Sequence, residues 1–248
     1  MTDIQWCINY LKQVNGIGQT PSMSDRDLFR ALQNITMPIN LSDEFYTKQD
    51  AVLQEILSSK NILDVSTLPD GISLYKGDIT LIKADSIVNA CNSQMIGCFV
   101  PGHHCIDNAI HSFAGLQVRR DMMEIMQKQE HEEPNGMCKV SKAYNLPSKY
   151  IFHTVGPIYS GSKQDEIDLA NCYKSCLKMA DDMALSSIVF CCLSTGIFGY
   201  PIEDATRIAI REVKEYLANQ NKHITKVIFN VFTDRDYDTY ERLLGRSK

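Results

Sequence analysis

The chain opens with apolar residues at helical spacing. Ile4, Ile8 and Leu11, then Leu28, Leu32 and Ile35, then Val52, Ile56 and Leu57 recur so as to fall on one face of a helix. The stretches P-S-M-S and M-P-I-N-L-S-D-E interrupt that pattern, and Ser24 with Asp27 three residues on has the spacing of a helix start. Residues 1–68 therefore read as a helical N-terminal extension, whose expected role is packing or substrate selection. After T-L-P-D-G the pattern changes. Short β-rich runs, ISLYKG, DSIVNA, KYIFHTVG, SSIVFCCLS and KVIFNVF, alternate with helical patterns at about 105–128, 165–184, 203–219 and 236–245. That alternation predicts a layered α/β domain over 69–248 with a mostly parallel sheet. Ligands of such sheets bind at the carboxyl ends of the strands, where this chain carries its unusual sequences: N-A-C-N-S after DSIV and S-T-G-I-F-G-Y-P after SIVFCC.

Composition narrows the function classes. With 248 residues, 44% of them hydrophobic, the chain can bury a substantial core. Lys and Arg total 25 against 30 Asp and Glu, a formal charge of -5, which gives no electrostatic footprint for duplex nucleic acid. A ligand with anionic groups must then be met by backbone amides or helix ends. No apolar run has the roughly 20 residues needed to cross a bilayer, and the N-terminus lacks a signal-peptide pattern, so the expected location is the cytoplasm, away from membranes. Nine cysteines at irregular spacing, an odd number, do not suggest a disulfide framework. Most are expected to be small buried hydrophobes; Cys172 and Cys176 on a helix, and Cys191 and Cys192 on a strand, need no further explanation.

Three groups of residues carry candidate chemistry. Asp78 follows a strand and can accept hydrogen bonds from an exocyclic amine, and Asn89 and Asn92 at the next strand end can address sugar hydroxyls. The loop Ser194, Thr195, Gly196, Ile197, Phe198, Gly199 lets the backbone approach a ligand, offers consecutive amides to a pyrophosphate, and supplies an aromatic cover in Phe198. Cys98, His103 and Cys105 place two thiols and an imidazole within eight residues, a donor set suited to tetrahedral zinc. His103 is preferred over His104, because adjacent His104 and Cys105 would have difficulty turning onto one ion. Three ligands leave one position open, as in catalytic sites. Asp107, two residues beyond Cys105, can orient a water or a hydroxyl, or cap the following helix. His111 and His153 read as satisfied core or helix-face histidines, and E-H-E-E at 130–133 as a solvated helix end.

The segment G-D-I-T-L-I-K-A-D-S-I-V-N-A-C-N-S (77–93), followed in order by I-D-N-A-I-H-S-F-A-G (106–115), Y-I-F-H-T-V-G-P (150–157) and S-T-G-I-F-G-Y-P (194–201), resembles the macrodomain family of ADP-ribose-binding modules and hydrolases. The run from Gly97 to Asn108 resembles in particular its zinc-containing branch, with the pattern G-C-F-x-P-x-H-x-C-I-D-N. The resemblance covers about residues 70–248. It implies a three-layer α/β/α fold around a mostly parallel mixed sheet. It also implies an adenosine end held by Asp78 and Ile79, with Phe232 stacking on adenine. The pyrophosphate would lie on 194–199 with Phe198 over the distal ribose, and that ribose would face Asn92, Asp107 and zinc. The implied activity is zinc-dependent hydrolysis of mono-ADP-ribose from modified proteins, from an acidic side chain, with a lipoyl-carrier-like protein as a candidate partner. A non-catalytic ADP-ribose reader with structural zinc, and an esterase acting on O-acyl-ADP-ribose, are the alternatives.

Overall fold

The computed structural model describes residues 1–245. Three helices come first: α1 (Asp3–Val14), α2 (Asp25–Ile35) and α3 (Asp43–Ser58). Each starts on a hydroxyl N-cap, Thr2, Ser24 and Ser42, whose oxygen accepts from a backbone amide of the first turn. Their apolar faces close on one another around Leu11, Phe29, Leu32, Phe45 and Val52, and this small core also takes in Leu116 from the following domain.

The remainder alternates as expected. The strands are β1 (Leu63–Asp64), β2 (Gly71–Lys76), β3 (Ile82–Lys83), β4 (Ser86–Cys91), β5 (Cys138–Lys142), β6 (Tyr150–Val155), β7 (Ser187–Phe190) and β8 (Lys226–Val231). Helices α4 (Ile106–Ala114), α5 (Leu116–Gln129), α6 (Lys163–Asp182), α7 (Ile202–Asn219) and α8 (Asp234–Leu243) lie between and after them. Six strands form a sheet in the order β2-β8-β7-β4-β6-β5, parallel throughout except for the β5–β6 pair. Ile87, Val88, Ile151, Phe152, Ile188, Val189, Val227 and Ile228 are fully buried, as central parallel strands covered on both faces by helices require. The fold is therefore the layered α/β architecture with a mixed sheet, preceded by helices. Among the described residues no helix is long and apolar enough to cross a membrane.

Several details differ from the pattern reading, among them the short β1–β3 pair, whose first strand lies within the segment expected to be helical. The helix expected over 105–128 is two, broken at Gly115, whose φ of 102° is open to glycine and whose added Cβ would meet Gln117 Oε1 at 2.6 Å. The antiparallel edge strand β5 was not expected. Strand β7 ends at Phe190, so Cys191 and Cys192 lie beyond it; Cys191 is buried and Cys192 half-buried. Of the run E-H-E-E only 130–132 are solvated: Glu133 is buried, accepting from Gln129 Nε2 at 2.7 Å and pairing with Lys139.

Candidate active site

Strand order decides where a site can form. β4 has β7 on one side and β6 on the other, so the connections leaving β4 and β7 diverge and open a crevice at their carboxyl ends. The 92–105 loop and the 191–201 loop border that crevice. At the sheet edge β2 and β8 run in register, Lys76 beside Val231, and Gly77 N donates to Val231 O at 3.0 Å. Asp78 and Phe232 therefore emerge side by side. Both are exposed, Phe232 by 77%. Asp78 Oδ1 accepts from the backbone and hydroxyl of Thr80, while Ile79 buries its side chain and can offer a ligand only backbone.

A polar column crosses the sheet beneath the β4 end. Asn89 and His153 are paired in register on β4 and β6. Asn89 Nδ2 donates to Asp107 Oδ1 at 2.7 Å and lies 3.2 Å from His153 Nδ1, whose other nitrogen lies 2.9 Å from Ser141 Oγ on β5. Ser141 Oγ donates to Lys142 O, so the consistent assignment has His153 neutral, accepting at Nδ1 and donating at Nε2. Asn89 thus spends both amide protons on the column and holds the Asp107 carboxylate in place. Burial pushes the Asp107 carboxyl up to about 6, against the opposing pull of Asn89 and Arg119. Asp107 does not cap α4, since Cys105 does that, its Sγ accepting from Asn108 N. Asn92 uses its carbonyl oxygen on the amides of Gln94 and Met95 and donates from Nδ2 to Gly97 O at 3.5 Å, which leaves one amide proton to face a ligand.

The three proposed metal ligands come together. The donor atoms of Cys98, His103 and Cys105 lie within 4.8 Å of one another, and Cys98 Sγ is 3.6 Å from His103 Nδ1. Ordinary zinc–sulfur and zinc–nitrogen bonds across a tetrahedral angle span about 3.6 Å, so the donor set fits zinc. Among the described residues no further His, Cys, Asp or Glu joins the cluster. Burial pushes the Cys105 thiol up to about 11, a tendency that a bound cation reverses.

The 194–199 loop leaves β7 under strain. Ser194 has a φ of 62° and a buried Oγ without a hydrogen-bond partner among the described residues, the kind of outlier that gathers at functional sites. A Cβ on Gly156 would lie 2.1 Å from that oxygen; the glycine of H-T-V-G-P is the space Ser194 occupies. Gly196 and Ile197 are exposed, Phe198 is half-buried, and the carbonyl of Phe198 accepts from Tyr159 N at 2.8 Å. Thr195, Gly199, Ile202 and Arg235 help line an open cleft of about 260 Å³. Asp78 instead borders a separate, mostly apolar gap of about 70 Å³ between Leu53, Leu57 and Phe113. The gap lies against α3.

The macro domain model matches residues 88–209. A protein-ADP-ribose hydrolase of Staphylococcus aureus is 45% identical over 227 residues, 89% of this chain and 85% of its own. One from Treponema medium is 44% identical over 92% of this chain and 91% of its own. The chain belongs to the macrodomain family. A crystal structure of a Trypanosoma brucei macrodomain in complex with ADP-ribose superposes with a TM-score of 0.69 at 30% identity, covering 87% of this chain and 95% of that one.

Within this macrodomain the two histidines read as core divide. His153 is satisfied, as expected. His111 is not: both ring nitrogens are buried without a hydrogen bond among the described residues, and Nε2 lies 3.5 Å from Asp107 Oδ1 without the alignment of one. Its position four residues after Asp107, on the same helix face, was the available signal. Burial lowers the pKa of both, His153 to about 3. An unfolded His153 takes up a proton near 6.5 while the folded one does not. Stability from this group is therefore complete above pH 6.5 and falls by about 1.4 kcal/mol per pH unit between there and about pH 3. His153→Gln removes one of the two histidines acting this way, so its urea midpoint should fall less steeply than that of the wild type between pH 6 and 4. Equal slopes would exclude His153 as a source of acid sensitivity.

Proposed function

We propose that this macrodomain hydrolyses mono-ADP-ribose from modified proteins, from an Asp or Glu side chain, with zinc held by Cys98, His103 and Cys105. The observation that carries this reading is the placement of a carboxylate fixed by Asn89 two residues beyond the last soft ligand, at the start of α4. Relatives named protein-ADP-ribose hydrolase at 44–45% identity support the activity. Zinc bound there supplies a Lewis acid for oxygen at the distal ribose. Asp107 orients a water or a ribose hydroxyl and accepts its proton, with Asn89 setting its direction. The backbone amides of 194–199 bind the pyrophosphate, and Phe198 covers the distal ribose. At the other end Asp78 accepts from the adenine amine while Phe232 stacks on the ring. A carboxylate leaving group, with a pKa of about 4, departs without the proton delivery that a serine alkoxide needs, which favours the acidic linkage. Asn92 contributes its remaining amide proton to the distal ribose. A lipoyl-carrier-like protein remains a candidate bearer of the modification, in a cytoplasmic setting.

The count of three ligands among the described residues favours an open metal position over the closed set of a purely structural zinc, and so favours an enzyme over a reader. The test incubates the protein with Asp/Glu-linked and Ser-linked mono-ADP-ribosylated proteins and with O-acyl-ADP-ribose, each with and without a chelator. Release from the acidic linkage alone, lost on chelation, is expected. Binding of ADP-ribose without release would make it a reader, and turnover of the O-acyl compound alone would make it an esterase. Asp78→Ala should weaken ADP-ribose binding roughly 10- to 150-fold, the loss of one hydrogen bond to a charged group. At saturating substrate its kcat should stay near that of the wild type, and a fall in kcat with unchanged calorimetric affinity would move Asp78 away from the adenosine end.

A further inference from the structure

The ligand-bearing loop has no regular structure of its own between β4 and α4, yet the backbone of each ligand residue is tied down. Cys105 is the N-cap of α4. The carbonyl of His103 accepts from Arg30 Nη2 at 3.0 Å, and the same guanidinium reaches Asn108 Oδ1 at 2.8 Å. Immediately before His103, Gly102 N donates to Asn34 Oδ1 at 2.9 Å. Arg30 and Asn34 both belong to α2, in the N-terminal extension.

The third tie is indirect. Arg119, on α5, is 2% exposed. Its guanidinium donates to five backbone carbonyls: Ile96 at 2.8 Å and Cys98 at 3.3 Å on the loop, and Gln33, Asn34 and Thr36 at 3.0, 2.8 and 2.7 Å at the end of α2. The ring of Phe99 covers it at 4.1 Å. A buried cation is costly unless compensated. Its hydrogen-bond partners among the described residues are all carbonyls, and those at the C-terminal end of α2 carry the helix's partial negative charge. The loop presses close: Gly97 has a φ of 87°, and a Cβ there would stand 2.9 Å from the His111 ring and 3.2 Å from Arg119 Nη2. An arginine held by α2 on one side and by the loop on the other transmits the position of the first to the second.

Resting on the zinc reading above, we infer that α2 is a brace for the metal loop, with Arg119 and Arg30 as positioning residues that hold Cys98 and His103 at ligand spacing. The N-terminal helices are then part of the metal site, and a preorganised loop binds its ion without first being ordered.

The test compares wild type, Arg119→Lys, Arg30→Ala and Arg30→Lys. Zinc affinity is read by competition with a chromogenic chelator, and ADP affinity by calorimetry, since ADP carries the adenosine and pyrophosphate but no distal ribose. Arg119→Lys and Arg30→Ala should each bind zinc about 10- to 100-fold more weakly, the usual loss when a group supporting a metal ligand is removed. ADP affinity should stay within about twofold, and Arg30→Lys, which keeps one donor for the His103 carbonyl, should recover part of the loss. Should Arg119→Lys not fold, the half-buried Arg30 carries the comparison alone. Folded variants that bind zinc as tightly as wild type overturn the brace, as does a parallel loss of ADP affinity, which marks general loosening. A wild-type protein that binds no zinc defeats the metal reading itself, and the brace with it.

Discussion

Asp107→Ala should slow release of ADP-ribose by about 10²- to 10⁴-fold, the range contributed by a positioned general base, while ADP-ribose binding changes little. The carboxylate is buried and held by Asn89 Nδ2 at 2.7 Å, so it acts from a fixed direction. It does not cap α4, so its removal should not unwind that helix. Loss of the carboxylate leaves the Asn89 amide without one of its two acceptors, at a cost of about 1–3 kcal/mol in stability, which a melting curve separates from the kinetic effect. Asp107→Asn tests the same point with the volume kept: it can still accept from Asn89 through its carbonyl oxygen but is a far weaker base. Its kcat should fall nearly as far as that of the alanine variant. Single-turnover release and calorimetric affinity together decide the matter. Lost affinity with unchanged turnover of bound substrate would make Asp107 a binding residue.

Removing a thiolate from the cluster should be of comparable size. Cys98→Ala is expected to lose zinc and, with it, about 10²- to 10⁴-fold in turnover, corresponding to several kcal/mol of charge stabilisation at the transition state. Cys98 is the cleaner position because Cys105 has a second task as the N-cap of α4. Replacing Cys105 by alanine also removes a cap worth about 1 kcal/mol. Cys105→Ser keeps an oxygen that can accept from Asn108 N while exchanging a soft ligand for a hard one. The pair therefore divides metal binding from helix capping: serine should restore the melting temperature without restoring zinc or activity. Metal content by elemental analysis, set beside the rate, checks both. A fully active variant that holds no metal would take zinc out of the chemistry.

What was legible in the chain was local. The central strands announce themselves as continuous apolar runs because parallel strands are buried on both faces, and the helices through their caps and period. The candidate metal ligands Cys98, His103 and Cys105 are legible because all three lie in one short loop, so spacing alone limits which side chains can meet. The edge strand β5 is not legible because its sequence, C-K-V-S-K, carries lysines and no apolar run, as edge strands often do. The break at Gly115 was hidden because apolar periodicity resumes on the far side.

By itself the sequence determined the layered α/β fold, the helical extension, the loops at the strand ends and the trio Cys98, His103 and Cys105. Only the tertiary structure decided what holds them. Asn89 meets His153 across 64 positions of sequence, and Arg119 gathers carbonyls of α2 from 83 to 86 positions away. The sequence marks His111 only by its place four residues after Asp107; that it has no hydrogen-bond partner among the described residues, while His153 is satisfied, is decided by the packing. The reason is the same in each case: periodicity reports which face of an element is buried, whereas the partner of a buried polar group is set by which strands and helices become neighbours.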